Sequence, residues 1–300
     1  MTTARADFER WRRAGAFRRY RGHSIFHRDE GRGPALLLIH GFPSASWDFH
    51  AIWGAVTARF RAIAADMIGF GWSDKPRRHP YSIVDQATLH EELLASLGVE
   101  SVHVLAHDYG DTVAQELLAR YEDRRRSGAR GVAIRSICLL NGGLFPETHR
   151  ARPIQRVLAS PLGPLVARFV TKPRFASGMR AIFGPHTPPS EAFIDELWTL
   201  LRFQDGHLVG PALIGYMAER RARRARWVGA LEHATIPIRA IVGAADPVSG
   251  AHMAARYREL VPDADIVLLP EIGHYPQVED PEAVLDAFWS FHARLDASRA

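Results

Sequence analysis

The motif LAHDYGD, at residues 105–111, gives the clearest indication of the fold of this 300-residue chain. It ends a short apolar run typical of a buried strand and opens a segment with helical periodicity. The order small residue, any residue, nucleophile, any residue, glycine is the pattern of a nucleophile elbow, in which Ala106 and Gly110 let strand and helix pack closely. The side chain at the nucleophile position is a carboxylate, Asp108. A helix cap formed by Asp108 is the alternative interpretation of the same residues.

Six short apolar runs bounded by turn residues predict buried strands on either side of this elbow. They lie at residues 35–39, 61–66, 101–106, 134–140, 238–242 and 266–269. Helical patterns at 85–97 and 112–121 lie between them. This alternation predicts an α/β fold with a mostly parallel sheet flanked by helices. Ligands of such sheets bind at the carboxyl ends of the strands, so residues just after each strand carry most of the chemistry.

The alternation stops between about residues 144 and 235, where prolines are frequent and no strand pattern occurs. Helical patterns in this stretch lie at 154–159, 165–170, 191–203 and 211–227. We therefore predict a helical cap at 145–234, inserted between a first core segment at 1–144 and a second core segment at 235–300.

Composition excludes several classes of protein. Apolar residues make up 47% and charged residues 24% of the chain, which excludes global disorder. A single cysteine, Cys138, excludes an internal disulfide framework and a cysteine-based metal site. No apolar run reaches the ~20 residues of a membrane helix, and no signal-peptide pattern occurs. We expect a cytoplasmic protein without a membrane span.

The residues that follow other predicted strands complete a catalytic constellation. An oxyanion hole needs the N–H after the nucleophile and one from an earlier loop; Tyr109 supplies the first and Phe42, in the HGFP loop, the second. Asp246 and His274 follow the fifth and sixth strands, in the order nucleophile, acid, histidine. Taken singly, Asp246 could be a turn residue and His274 is one of fifteen histidines. Their joint occurrence in this order favours a triad.

At this point the chain resembles the α/β-hydrolases of the epoxide hydrolase and haloalkane dehalogenase group, from about residue 22 to residue 291. Within this group it is especially similar to the mesoderm-specific transcript proteins. The shared motifs are HDYGD at 107–111, NGG at 141–143, FPETHR at 145–150, RWVGAL at 226–231 and HYPQVEDP at 274–281. The segment DMIGFGWSD at 66–74 also matches the group, and we interpret it as a structural turn.

The resemblance implies hydrolysis of a small apolar epoxide by water to a vicinal diol, without a cofactor or metal. Asp108 would form an alkyl ester, and His274, oriented by Asp246, would activate the water that hydrolyses it. The N–H groups of Phe42 and Tyr109 would stabilise the oxyanion. A serine esterase is disfavoured because no serine occupies the elbow.

Epoxide opening also needs a proton donor, which this group supplies from cap tyrosines. Tyr216 is the only tyrosine at 145–234 and resembles one of them. A core position, three residues after Leu213, is the alternative for Tyr216. The second cap tyrosine has no obvious counterpart, since Phe169, His186 and His207 lie in the region where it would be sought and none of them is a tyrosine.

Two other functions stay open at this stage. A haloalkane dehalogenase would use the same Asp108, although Tyr109 and Phe42 stand where that group usually has halide-binding tryptophan or asparagine. A noncatalytic binding protein would keep only the hydrolase shape. The arginine-rich run at 220–226, like that at 124–126, is interpreted as a solvated surface. We therefore expect no nucleic-acid partner despite the net charge of +5. A homodimer is left open.

Overall fold

The fold is built around one eight-stranded sheet. The computed structural model describes residues 3–297, so the first two and last three residues of the predicted core segments lie outside it. Along the sheet the strands follow the order β1-β2-β4-β3-β5-β6-β7-β8. Their bounds are β1 Ala16–Tyr20, β2 His23–Glu30, β3 Ala35–Ile39, β4 Arg61–Ala65, β5 Ser101–His107, β6 Ala133–Leu140, β7 Ile238–Gly243 and β8 Asp265–Leu269. Strands β3 to β8 pair in parallel, whereas β1 and β2 are antiparallel to their neighbours.

All six predicted strands are confirmed as β3 to β8, each bound lying within one residue of the prediction. The prediction succeeds because these strands are short apolar runs; β3 to β7 are largely buried, and β8, at the edge of the sheet, is half-buried. The sequence analysis missed β1 and β2, which carry charged residues and form a hairpin at one edge of the sheet. Positive φ angles at Arg21 (47°) and Gly22 (85°) form its two-residue turn.

Helices cover both faces of the sheet. Their bounds are α1 Thr3–Arg13, α2 His50–Thr57, α3 Ile83–Ser96, α4 Tyr109–Ser127, α5 Pro153–Leu158, α6 Gly163–Ala167, α7 Lys172–Arg180, α8 Glu191–Arg202, α9 Gly210–Leu213, α10 Tyr216–Ala222, α11 Arg224–Glu232, α12 Ala251–Leu260, α13 Pro276–Glu279 and α14 Pro281–Ala297. Two 3₁₀ segments lie at Ser46–Phe49 and Phe203–Leu208. Leu37 of β3 joins the apolar cluster on one face, and Leu36 and Leu38 join the cluster on the other.

Seven helices, α5 to α11, lie between β6 and β7, and no strand occurs in this part of the described chain. The helical predictions at 154–159, 165–170 and 191–203 are confirmed within a few residues, and α7 was missed. The single helix predicted at 211–227 is wrong, because the chain forms α9, α10 and α11 instead. The break at Arg223 (φ −105°, ψ 15°) separates α10, which buries Tyr216, from α11, which packs on α4. The division into core and cap at 145 and 234 stays a prediction.

The turn at 66–74 has a structural role. The Asp66 carboxylate accepts hydrogen bonds from the backbone N–H groups of Ser46 (2.8 Å) and Trp72 (2.6 Å). A Cβ atom at Gly71 would lie 2.0 Å from Asp66 Oδ2, so only glycine fits there. This turn forms part of the loop region above the carboxyl ends of the strands.

Candidate active site

Asp108 stands at the carboxyl end of β5, directly before α4. Its backbone has φ 49° and ψ −106°, a conformation that a residue with a side chain rarely adopts. Close packing holds this turn, since a Cβ atom at Gly110 would lie 2.2 Å from the Ile39 carbonyl oxygen. The strained turn presents the Asp108 carboxylate at the edge of the sheet, as a nucleophile elbow does.

One of the two predicted oxyanion donors already contacts the Asp108 carboxylate. The Phe42 N–H donates to Asp108 Oδ2 at 3.0 Å. Gly41 makes this approach possible, because a Cβ atom there would lie 2.7 Å from His107 Nδ1 and 3.1 Å from Asp108 Cβ. Tyr109 is the first residue of α4, and N–H groups in the first turn of a helix have no acceptor within the helix. Both N–H groups thus belong to segments that adjoin Asp108.

His274 and Asp246 come together with Asp108 although they lie far apart in sequence. His274 Nδ1 is 2.7 Å from Asp246 Oδ2, and His274 Nε2 is 3.9 Å from Asp108 Oδ1. Burial by itself lowers the pKa of His274, but the Asp246 and Asp108 carboxylates raise it to about 9. Burial raises the pKa of Asp246, and His274 with further hydrogen-bond donors lowers it to about 2. The arrangement can therefore hold an imidazolium between two carboxylates.

Asn141 is a residue of this site that sequence reasoning treated only as part of a family motif. It follows β6 directly and has a positive φ of 46°. Its Nδ2 donates to Asp246 Oδ2 at 3.0 Å, and its Oδ1 accepts from the Gly243 N–H at 2.8 Å. Ser249 adds a hydroxyl donor to the same Asp246 oxygen at 2.9 Å. The position of Asn141 directly after a predicted strand was the signal that could have identified it from sequence.

Tyr216 begins α10 and is buried beside both oxyanion residues. Its ring centroid lies 5.0 Å from that of Tyr109 and 6.3 Å from that of Phe42. Burial and the nearby Asp108 raise the pKa of Tyr216, while the Arg220 guanidinium, 4.8 Å from the ring centroid, opposes this rise. Tyr216 Oη has no hydrogen-bond partner among the described residues. Tyr216 is not among the residues that line the cavity above Asp108, so its role as proton donor stays a prediction.

The arginine run at 220–226 is not a uniformly solvated helix face. Arg220 is 2% exposed and donates to Thr112 Oγ1 at 2.7 Å. Helix α10 ends at Arg223, and Arg226 of the next helix pairs with Glu116 at 2.8 Å. Near Arg220, burial and Asp108 raise the pKa of Asp111 well above its usual range, which favours its protonated form. A second group of polar residues thus lies next to Asp108.

A cavity of about 370 Å³ opens above Asp108 and His274. Its walls are mostly apolar and come from loops of the sheet and from the helices between β6 and β7, as is typical of small-molecule sites. Of the three residues considered for the missing tyrosine, Phe169 and His207 line this cavity and His186 does not. Among residues 3–297, no group of three or more histidine, cysteine or acidic residues could hold a metal ion.

Comparison with known proteins identifies the family. The family model described as the alpha/beta hydrolase fold matches residues 34–281. The chain is 44% identical to the human mesoderm-specific transcript homolog protein over 94% of this chain and 86% of that protein. It is 41% identical to LipZ of Mycobacterium tuberculosis, over 92% of this chain and 95% of that one. The chain belongs to the α/β-hydrolase family.

Solved structures agree on the fold. The haloalkane dehalogenase DbeA from Bradyrhizobium elkani USDA94 superposes with a TM-score of 0.77 at 22% identity, covering 95% of this chain and 99% of that chain. The epoxide hydrolase CorEH superposes with a TM-score of 0.74 at 21% identity, covering 94% and 99%. No helix among the described residues is long and apolar enough to cross a membrane.

Proposed function

We propose that this α/β-hydrolase is an epoxide hydrolase that forms an alkyl ester on Asp108. The observation that carries the proposal is the different environment of the two Asp108 oxygens. Oδ2 accepts the Phe42 N–H at 3.0 Å, whereas Oδ1 is 3.9 Å from His274 Nε2, too far for a hydrogen bond. Oδ1 therefore keeps its lone pairs for attack, and Oδ2 already occupies the place of the future oxyanion.

In the first step, Asp108 Oδ1 attacks one epoxide carbon and the carbon–oxygen bond of the ring breaks. The released alkoxide takes a proton, and we assign this proton to Tyr216 Oη. The raised pKa of Tyr216 keeps the phenol protonated at neutral pH, and an alkoxide is basic enough to remove its proton.

In the second step, His274 takes a proton from water while the hydroxide adds to the ester carbon of Asp108. The ester then breaks between this carbon and the alkyl oxygen, and the diol leaves with a proton from His274. The proton that remains on the Asp108 carboxyl group passes to His274, which restores the carboxylate and the imidazolium of the starting site. Ester formation removes the Asp108 charge, which is one cause of the raised pKa of His274. The pKa of His274 therefore falls when the ester forms. Its proton passes to the Tyr216 phenolate left by the first step, and the neutral histidine becomes the base that hydrolysis requires.

The residues that line the cavity argue against a haloalkane as substrate. Halide release needs N–H donors that face the leaving atom, and no tryptophan is among the described residues that line the cavity. The Trp47 indole N–H donates instead to Glu196 Oε2 at 2.9 Å. Dehalogenation by the same Asp108 and a noncatalytic binding role are the two alternatives that the experiment must separate.

The test is to trap the ester. His274→Gln should accumulate an adduct on the Asp108 peptide with styrene oxide, visible by mass spectrometry, because alkylation does not need the base. His274→Gln combined with Asp108→Asn is the control and should gain no mass. In single-turnover experiments with the wild type in H₂¹⁸O, the label should appear in Asp108 and not in the first diol formed.

Each outcome decides between the candidates. An adduct with a bromoalkane and halide release at a rate comparable to diol formation would replace the proposal with dehalogenation. A wild type that converts neither compound and a His274→Gln variant without any adduct would leave the noncatalytic role. Label in the first diol would show direct attack by water and would overturn the ester mechanism.

A further inference from the structure

The surface formed by α5, α6 and the residues next to them is unusually apolar for an exposed region. Six large apolar side chains are exposed among the described residues, and five of them lie within sixteen residues of one another. These five are Ile154 (48% exposed), Val157 (39%), Leu162 (62%), Leu165 (53%) and Phe169 (63%). Helix α5 buries none of its residues. A cluster of this kind usually marks a contact with a partner or a membrane.

The same region carries an uncompensated positive charge. Residues 148–190 contain seven arginines and lysines and no aspartate or glutamate. Lys172 and Arg180 are paired with Asp195 and Glu191. The other five cations form no ion pair within the described residues; they are Arg150, Arg152, Arg156, Arg168 and Arg174.

We propose that this surface, residues 150–174, docks on an anionic lipid bilayer. Exposed apolar side chains interleaved with free arginines are the pattern of a segment that lies in a membrane interface. Phospholipid headgroups would neutralise the arginines, and the apolar side chains would enter the boundary of the acyl chains. A second copy of the chain fits less well, because a two-fold contact through this surface would bring unpaired arginines of both copies together.

The position of the surface relative to the cavity adds a consequence for substrate access. Ile154, Leu158 and Phe169 line the cavity above Asp108, so the docking surface and the cavity wall belong to the same segment. An apolar substrate dissolved in the bilayer would reach the cavity along this wall without crossing water. This point on access rests on the proposed function, whereas docking itself does not.

Flotation with vesicles tests docking without any substrate. The full chain should float with phosphatidylcholine vesicles that contain phosphatidylserine, and much less with phosphatidylcholine alone or at high salt. Arg156→Ala with Arg168→Ala should lower the partition coefficient roughly twenty-five-fold, at about fivefold for each arginine. Leu162→Ser with Leu165→Ser should lower it roughly tenfold or more.

Matched controls exist elsewhere on the surface. Phe17→Ser removes the sixth exposed apolar side chain, which is 54% exposed on β1, and Arg258→Ala removes an exposed arginine of α12. Both controls should bind vesicles like the wild type. None of the six substituted residues lines the cavity, so hydrolysis of a water-soluble epoxide should be unchanged and failure of either proposal can be recognised separately.

Three results would overturn docking on anionic lipid. One is equal binding to both vesicle types, and another is wild-type binding by the two double variants. The third is a wild type that stays off vesicles and forms a dimer that Leu162→Ser with Leu165→Ser dissociates, since a second copy would then cover the surface.

Discussion

The Asp246 side and the Tyr216 side of the candidate site differ in how they are held. Asp246 accepts hydrogen bonds from His274, Asn141, Val248 and Ser249. Tyr216, by contrast, is held by ring contacts, and its Oη has no partner among the described residues. The strand ends therefore fix a charged group through directed bonds, whereas the helices between β6 and β7 position a neutral group by packing.

The largest expected effect tests the bonded side. Asp246→Asn should lower kcat/KM for styrene oxide on the order of 10³-fold or more, because His274 loses the charge that orients it. Asn141→Gly keeps the positive φ, removes one donor to Asp246 and should cost about tenfold. Similar losses in the two variants would show that the hydrogen-bond network, and not the Asp246 charge, controls His274.

The raised pKa of His274, beside Asp246, should also make the fold less stable at alkaline pH. The folded pKa of His274 is about 9, against an ordinary value of 6.5. This raised pKa stabilises the fold below pH 6.5, and the contribution is lost as pH rises through 9, a decrease of about 3 kcal/mol. Urea unfolding at pH 6 and pH 10 measures it. His274→Gln should remove most of this decrease, and an unchanged decrease in that variant would assign it to other groups.

A smaller effect is expected on the packed side. Tyr216→Phe should slow ester formation on the order of 10²-fold and leave ester hydrolysis nearly unchanged, as rapid-quench measurements can show. Stability should change by less than about 0.5 kcal/mol, because the lost hydroxyl has no partner. Tyr257→Phe, in a buried tyrosine of α12, is the matched control and should affect neither step. Unchanged ester formation in Tyr216→Phe would show that another group donates the proton.

The smallest effect, on the free energy of unfolding, is expected for Asp111, which lies close to Asp108. The raised pKa of Asp111 favours a neutral carboxyl group, which asparagine resembles in shape. Asp111→Asn should therefore alter the free energy of unfolding at pH 7 by less than about 0.5 kcal/mol. A loss above about 2 kcal/mol would show that Asp111 is ionised and interacts with the Arg220 charge.

The sequence predicted the central strands and the residues that follow them better than it predicted the rest of the fold. Strands β3 to β8 could be predicted because they are short apolar runs, and Asp108, Asp246 and His274 follow three of them. The hairpin strands β1 and β2 and the breaks between α9, α10 and α11 were not predicted. Local periodicity does not record which face of a mixed polar segment is covered, or where a helix changes direction to meet a distant partner.

The amino-acid sequence was enough to predict the parallel sheet, the carboxylate between β5 and α4, and the order in which Asp246 and His274 follow it. These features depend on short apolar runs and on residues adjacent to them. Only the tertiary structure decided that Phe42 contacts Oδ2 of Asp108, that Arg220 is buried, and that the apolar side chains of α5 and α6 remain exposed. Each of these depends on how segments distant in sequence pack against one another, which no local pattern encodes.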